Sequence, residues 1–185
     1  MLTGYKSSAF TLLEMMVVIA LVAVIAAFTV PRLFRRAPAV EWKNITDDLN
    51  NLVLFARHNA LEYRKPYRLV FRQNQQQDTV TVEASMDVPE KPGHIKYEPV
   101  APDYMATTYK FADAVKLHAV YRGKIEMLAD QHGVAYCAIT ADGLVQDVVV
   151  QLVRTLDGVE SSGTLTMNPF FGTFDFVEGL VRPGT

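Results

Sequence analysis

The chain has 185 residues, 50% of them hydrophobic, with a formal net charge of −2 and a single cysteine. That length accommodates one globular domain beside one long apolar segment, and a lone Cys137 excludes an intramolecular disulfide, so stability has to come from packing. Lys6, Arg32, Arg35 and Arg36 lie before Ala37 against Glu14 alone, which leaves the remainder net acidic and free of any long Lys/Arg block; this disfavours a nucleic-acid partner.

From Phe10 to Val30 the sequence is almost pure hydrocarbon, interrupted by Glu14. As a helix this stretch is about 31 Å long, enough to cross a bilayer core. A carboxylate at the centre of such a helix costs about 2.5–3.5 kcal/mol, and less near an end, so Glu14 requires a purpose. A cleavable secretory signal is the competing reading, but the run is too long, and Ala20, Ala23, Ala26 and Ala27 never fall two apart as a small-x-small cleavage site needs. Ala20, Ala23 and Ala27 instead fall on one helix face, the small-residue pattern that lets helices approach closely in lipid. The arginines after the span would place the carboxyl-terminal side in the cytoplasm by the positive-inside rule.

Pro31 is expected to kink or interrupt this helix, because it lacks an N–H and crowds the carbonyl four residues back. A second helical pattern follows, with Trp42, Ile45, Leu49, Leu52, Val53, Ala56, Ala60 and Tyr63 at steps of three and four. Its mixed-charge polar face favours a lid over a sheet of the same domain rather than a membrane-surface helix, and Pro66 stops it. "YRLVF" and "TVTVEA" flank the polar "RQNQQQD" and predict a hairpin with a loose turn. Residues 86–103 hold four prolines and predict a long irregular excursion. Further strands are expected at "VKLHAVY", "VAYCAI", "LVQDVVVQLVR", "GTLTMN" and "TFDFV", with turns at Asp142-Gly143 and Asp157-Gly158. Cys137, inside "VAYCAI", reads as a buried, inert thiol. The fold class is α+β: a long N-terminal helix, then a helix-capped antiparallel β-sandwich.

A short polar leader ending in the small Ala9, then Phe10-Thr11-Leu12-Leu13-Glu14, then an apolar helix with Pro31 just beyond it, resembles the signal of type IV pilins and type II secretion pseudopilins. The resemblance implies cleavage between Ala9 and Phe10 by a membrane-embedded prepilin peptidase and N-methylation of Phe10. The family usually has glycine where this chain has Ala9. It also implies that Glu14 faces the new ammonium of a neighbouring subunit during assembly, each charge in lipid being less costly when paired. The orientation implied is opposite to that of the positive-inside rule, with the carboxyl-terminal domain in the periplasm. "LNNLVLFARHNALEYRKPYRLVF" and "GTLTMNPFFGTFDF" are similar to the helix-to-strand junction and the closing hairpin of minor pseudopilins of the H type in type II secretion.

The organisation expected is therefore a leader at 1–9, a transmembrane and assembly helix at 10–36, an amphipathic stem helix at 37–66 and a periplasmic β domain at 67–185. Partners implied by the resemblance are other major and minor pseudopilins or pilins, the peptidase, the inner-membrane assembly platform and the lipid bilayer. A minor type IV pilin for pilus assembly, adhesion or DNA uptake is the nearest alternative, although Asp157, Glu160, Asp175 and Glu178 against Arg182 make the carboxyl-terminal region repel phosphate. A membrane-anchored enzyme is the rival class. His58, His94, His118 and His132 lack metal-ligand spacing, and no serine stands in G-x-S-x-G. No catalytic residue, metal or cofactor is expected.

Overall fold

The computed structural model describes residues 12–34, 38–87, 95–130 and 132–183. It divides into two compact units, with the boundary between Glu41 and Trp42.

In the first unit, helix α1 spans Leu12–Phe34. Leucine, methionine and alanine give it high helical propensity between its β-branched residues. Helical backbone continues past Pro31 to Phe34, so the proline lies inside α1 and does not terminate it. Among the described residues no helix is long and apolar enough to cross a membrane. The span expected from Phe10 to Val30 lies partly outside them, because residues up to Thr11 are not described and side chains are described only from 12 to 27.

Helix α2 spans Pro38–Tyr63. A proline at the first helical position gives up an N–H that would have no intrahelical partner there, and Glu41 in the first turn complements the helix dipole. The helix ends where Arg64 turns to φ 51°, one residue pair ahead of Pro66. Trp42, Ile45, Leu49, Leu52, Val53, Ala56 and Ala60 are all buried, as their spacing predicts. Tyr63 is not: it is 57% exposed, whereas Phe55 and Asn59 are buried. The buried arc shifts because the helix is also flanked, with Phe55 edge-on to Tyr104 at 6.4 Å and Arg57 Nη1 donating to the Phe171 carbonyl at 2.8 Å.

Two antiparallel five-stranded sheets complete the second unit. The first contains β1 (Tyr67–Arg72), β2 (Thr79–Asp87), β3 (Ile95–Pro99), β4 (Thr108–Lys110) and β7 (Val134–Ile139), in the order β3-β2-β1-β7 with β4 also on β2. The second contains β5 (Val115–Arg122), β6 (Ile125–Glu126), β8 (Val149–Leu156), β9 (Val159–Asn168) and β10 (Thr173–Glu178), in the order β10-β9-β8-β5-β6. The short α3 (Met127–Asp130) follows β6. Leu69, Phe71, Val82 and Cys137 of the first sheet and Leu117, Leu152, Leu165 and Phe174 of the second join the α2 stripe in one core. This is the helix-capped α+β sandwich expected from the sequence.

Two segments differ from expectation. Within the proline-rich excursion, residues 88–94 lie outside the described residues, but 95–99 form β3 rather than irregular chain, because Ile95–Pro99 pairs with the far half of β2 from Asp87 to Glu83. The stretch Leu144–Arg154 is not one strand. Val145 bridges Ile139, and the Gln146 amide N–H donates to the Ala138 carbonyl at 2.8 Å while its side-chain oxygen takes the Ala138 N–H at 3.2 Å. That segment is committed to the free edge of β7, so β8 starts only at Val149.

The polar "RQNQQQD" turn ties the two sheets together. The Asp78 carboxylate, almost wholly buried, accepts from the Leu117 N–H at 2.7 Å and the Asn74 N–H at 2.9 Å. Gln73 Nε2 donates to the Leu117 carbonyl at 3.0 Å and Gln77 Nε2 to the Phe111 carbonyl at 2.7 Å. Side chains from the turn between β1 and β2 thereby satisfy Leu117 on the free backbone edge of β5 and Phe111 ahead of it, as buried backbone groups require.

Candidate functional site

The sequence placed its functional residues at the amino terminus. Ala9 and Phe10 lie outside the described residues. Glu14 stands in the first turn of α1, where the partial positive charge of the helix amino terminus favours a carboxylate. Around it the helix is apolar on every side. Leu12 is 79% exposed, and Leu13, Met15, Met16, Val17, Val18, Ile19, Leu21 and Val22 are all about half exposed or more. Five consecutive exposed residues, 15 to 19, cover more than one 3.6-residue turn, so no single face is left for water. Each large side chain left in water forgoes about 1.5–3 kcal/mol relative to full burial. Such a helix is built to be covered all round, by lipid or by other apolar helices.

His58 lies 3.5 Å from Glu62 on the exposed side of α2, and His118 sits at the register shift of β5. Among the described residues no group of three or more His, Cys, Asp or Glu side chains could hold a metal ion. Burial, with Asp147 nearby, pushes the Cys137 thiol up to about 12, although it contacts the Gln146 carbonyl; it is no nucleophile at neutral pH.

Sequence reading missed two surface features. One is a cationic, aromatic face on the first sheet. Glu83, with 3% of its side chain exposed, takes Nε and Nη2 of Arg68 at 2.9 and 2.7 Å on one oxygen and Nη2 of Arg72 at 2.8 Å on the other. Arg68 also lies 4.2 Å above the ring of Tyr97. The alternation in "YRLVFR" signals that Arg68 and Arg72 share a face, but their common partner is 11 or more residues away in sequence. The other is the turn after β9, which holds Phe170 and Phe171 at 86% and 72% exposure. Asn168 Oδ1 accepts from both of their N–H groups, and Arg57 holds the Phe171 carbonyl.

The described chain thus runs from an apolar amino-terminal helix with a carboxylate in its first turn to a helix-capped antiparallel sandwich. Residues 5–30 match the family described as the prokaryotic N-terminal methylation motif. Two solved structures of the minor pseudopilin EpsH from the type 2 secretion system of Vibrio cholerae are similar to the chain. One is 13% identical, with a TM-score of 0.49 over 74% of this chain and 95% of that one. The other is 15% identical, with a TM-score of 0.49 over 78% and 96%. No curated protein matches the sequence.

Proposed function

We propose that the chain is a minor pseudopilin, a structural subunit whose apolar helix anchors it in the bacterial inner membrane as a single pass with its β domain in the periplasm, and then enters a bundle of similar helices. The observation that carries this reading is the amino-terminal helix, apolar around its whole circumference, with Glu14 in its first turn and the methylation motif over residues 5–30. In this reading residues 1–9 are a leader, 10–36 the membrane and assembly helix, 37–66 the stem and 67–185 the periplasmic domain. Prepilin peptidase cuts between Ala9 and Phe10, and Phe10 is methylated. Its ammonium meets Glu14 of an adjacent subunit as lipid contacts are exchanged for helix contacts, and a kink at Pro31 would let the stem leave the bundle. The similarity of "GTLTMNPFFGTFDF" and the α2-to-β1 junction to the H type favours type II secretion, at or near the tip of the pseudopilus, over a minor type IV pilin. The work is mechanical and requires no catalytic residue or cofactor.

Mass spectrometry of the protein from its native membrane tests the reading. The amino terminus should begin at Phe10 and carry one added methyl group, about 14 Da. An intact Met1 terminus on the membrane-extracted protein would overturn it.

A further inference from the structure

We propose that the outer face of the first sheet is a docking surface for a carboxylate-bearing segment of a partner protein, an assignment that goes beyond the anchoring and assembly roles of the helix. Register puts its cations in two rows. Arg68 lies opposite Glu83 on β2, and Arg72 lies opposite Thr79, which in turn faces Lys110 on β4. Residues directly opposite one another share a sheet face, so Arg68, Arg72 and Lys110 project to the same side. Arg122 adds a fourth cation through Tyr136, with Nη1 3.4 Å from the phenol oxygen and the guanidinium 5.8 Å from the ring.

The arginines are held in place before any partner arrives. Glu83 is buried and both its oxygens are engaged, so its charge serves to fix Arg68 and Arg72. Arg68 is further confined by Tyr97 on one side and Tyr136 on the other, at 4.2 and 5.7 Å from the ring centroids. Its bonds to Glu83 use Nε and Nη2, and that of Arg72 uses Nη2, which leaves both Nη1 groups without an acceptor among the described residues. Flat, preorganised guanidinium groups lose little entropy on accepting a carboxylate, and the paired donors suit it geometrically.

Charge complementarity selects the occupant. The face is locally cationic, while the rest of the soluble chain is net acidic and Asp157, Glu160, Asp175 and Glu178 are exposed. A long polyphosphate strand would extend beyond this small patch onto a chain that is elsewhere net acidic. A short protein segment with a few carboxylates ends where the cations end.

The test uses the full chain in neutral detergent, titrated into a fluorescein-labelled oligoglutamate peptide and followed by anisotropy. Saturable binding is expected, weakening by about tenfold or more between about 50 and 300 mM salt. Arg72→Gln combined with Lys110→Gln should weaken it by about tenfold, whereas Asp157→Asn with Glu160→Gln should not. If the Arg72 substitution lowers the melting temperature, Lys110→Gln alone, on a short strand, should still weaken binding by about threefold. Absence of saturable binding, or binding indifferent to these cation substitutions, overturns the proposal. Tighter binding of a thymidine oligonucleotide of equal charge overturns it as well and assigns the face to nucleic acid.

Discussion

The side-chain amide of Asn50 takes both backbone groups of Phe174. Its oxygen accepts the Phe174 N–H at 2.6 Å, and its Nδ2 donates to the Phe174 carbonyl at 3.2 Å. Helix α2 thus supplies, from one residue, what a further strand would supply to the edge of β10. Eight residues earlier on the same helix, Trp42 stacks on Phe176 with ring centroids 5.6 Å apart. The edge strand is covered by α2 through one polar and one aromatic contact, which removes a template for pairing with other chains.

Asn50→Ala should therefore destabilise the domain by about 2 kcal/mol, since two backbone groups beside the core lose their partner and pay desolvation. Asn50→Asp should fare no better: it keeps an acceptor for the N–H but turns a second oxygen toward the Phe174 carbonyl. Urea melts of the variants measure both. An Asn50→Ala midpoint equal to that of the parent would show the clasp to be replaceable by water.

Gly163, on β9, owes its identity to the same edge. A Cβ built there overlaps Cε2 of the Phe176 ring and lies 3.0 Å from its Cζ. Gly163→Ala should cost about 1–3 kcal/mol by overpacking, and most of that should return in the double variant with Phe176→Leu. Independent, additive losses in a double-mutant cycle would contradict the steric account.

Cys137 predicts a pH dependence. Its thiol ionises near 9.0 when exposed and near 12 in the folded protein, chiefly through burial. Below the unfolded value both states hold the proton and the residue is neutral in its effect. As pH rises from about 9 toward 12 the unfolded chain loses the proton first, so stability falls across that window. Cys137→Ala should flatten the fall. At pH 8 the native thiol should resist a maleimide reagent that labels the urea-unfolded chain at once; rapid labelling of native protein would contradict the burial.

Much of this fold was legible because its signals are local. The α2 stripe from Trp42 to Ala60 follows a 3.6-residue period, and "YRLVF", "VAYCAI" and "TFDFV" follow a two-residue period or are short and apolar, so each announces its element. What escaped depends on which strand edge or backbone group a segment meets, and no local period announces that. Ile95–Pro99 becomes a strand only because the far half of β2 offers it an edge. Val145 and Gln146 leave the expected strand because β7 has backbone groups to satisfy. Gln73 and Gln77 of "RQNQQQD" look like solvated loop until Leu117 and Phe111, 34 or more residues on, take their amides. At the candidate site the motif around Glu14 was local and visible, whereas the Arg68–Glu83–Arg72 cluster is assembled by strand register alone.

Glu14 carries the decisive test of the proposed role. Two explanations compete for a carboxylate in the first turn of an apolar helix: it complements the helix dipole of its own chain, or its charge meets an ammonium of another. A local role is worth only about 0.3–1 kcal/mol and would be met largely by any capping group. A pairing role in lipid needs the charge itself, because an ammonium left alone there is far more costly. Glu14→Gln, which keeps shape and hydrogen-bonding capacity, separates the two. Glu14→Ala and Glu14→Gln should both be processed to a Phe10 amino terminus, as measured by mass, and both should reduce filament assembly by about tenfold or more, as measured by the share of processed subunit recovered in sheared filaments. Glu14→Asp, which keeps the charge on a shorter arm, should recover part of the loss. Assembly of the Gln variant at the parental level would sink the pairing role and leave Glu14 a residue of its own helix.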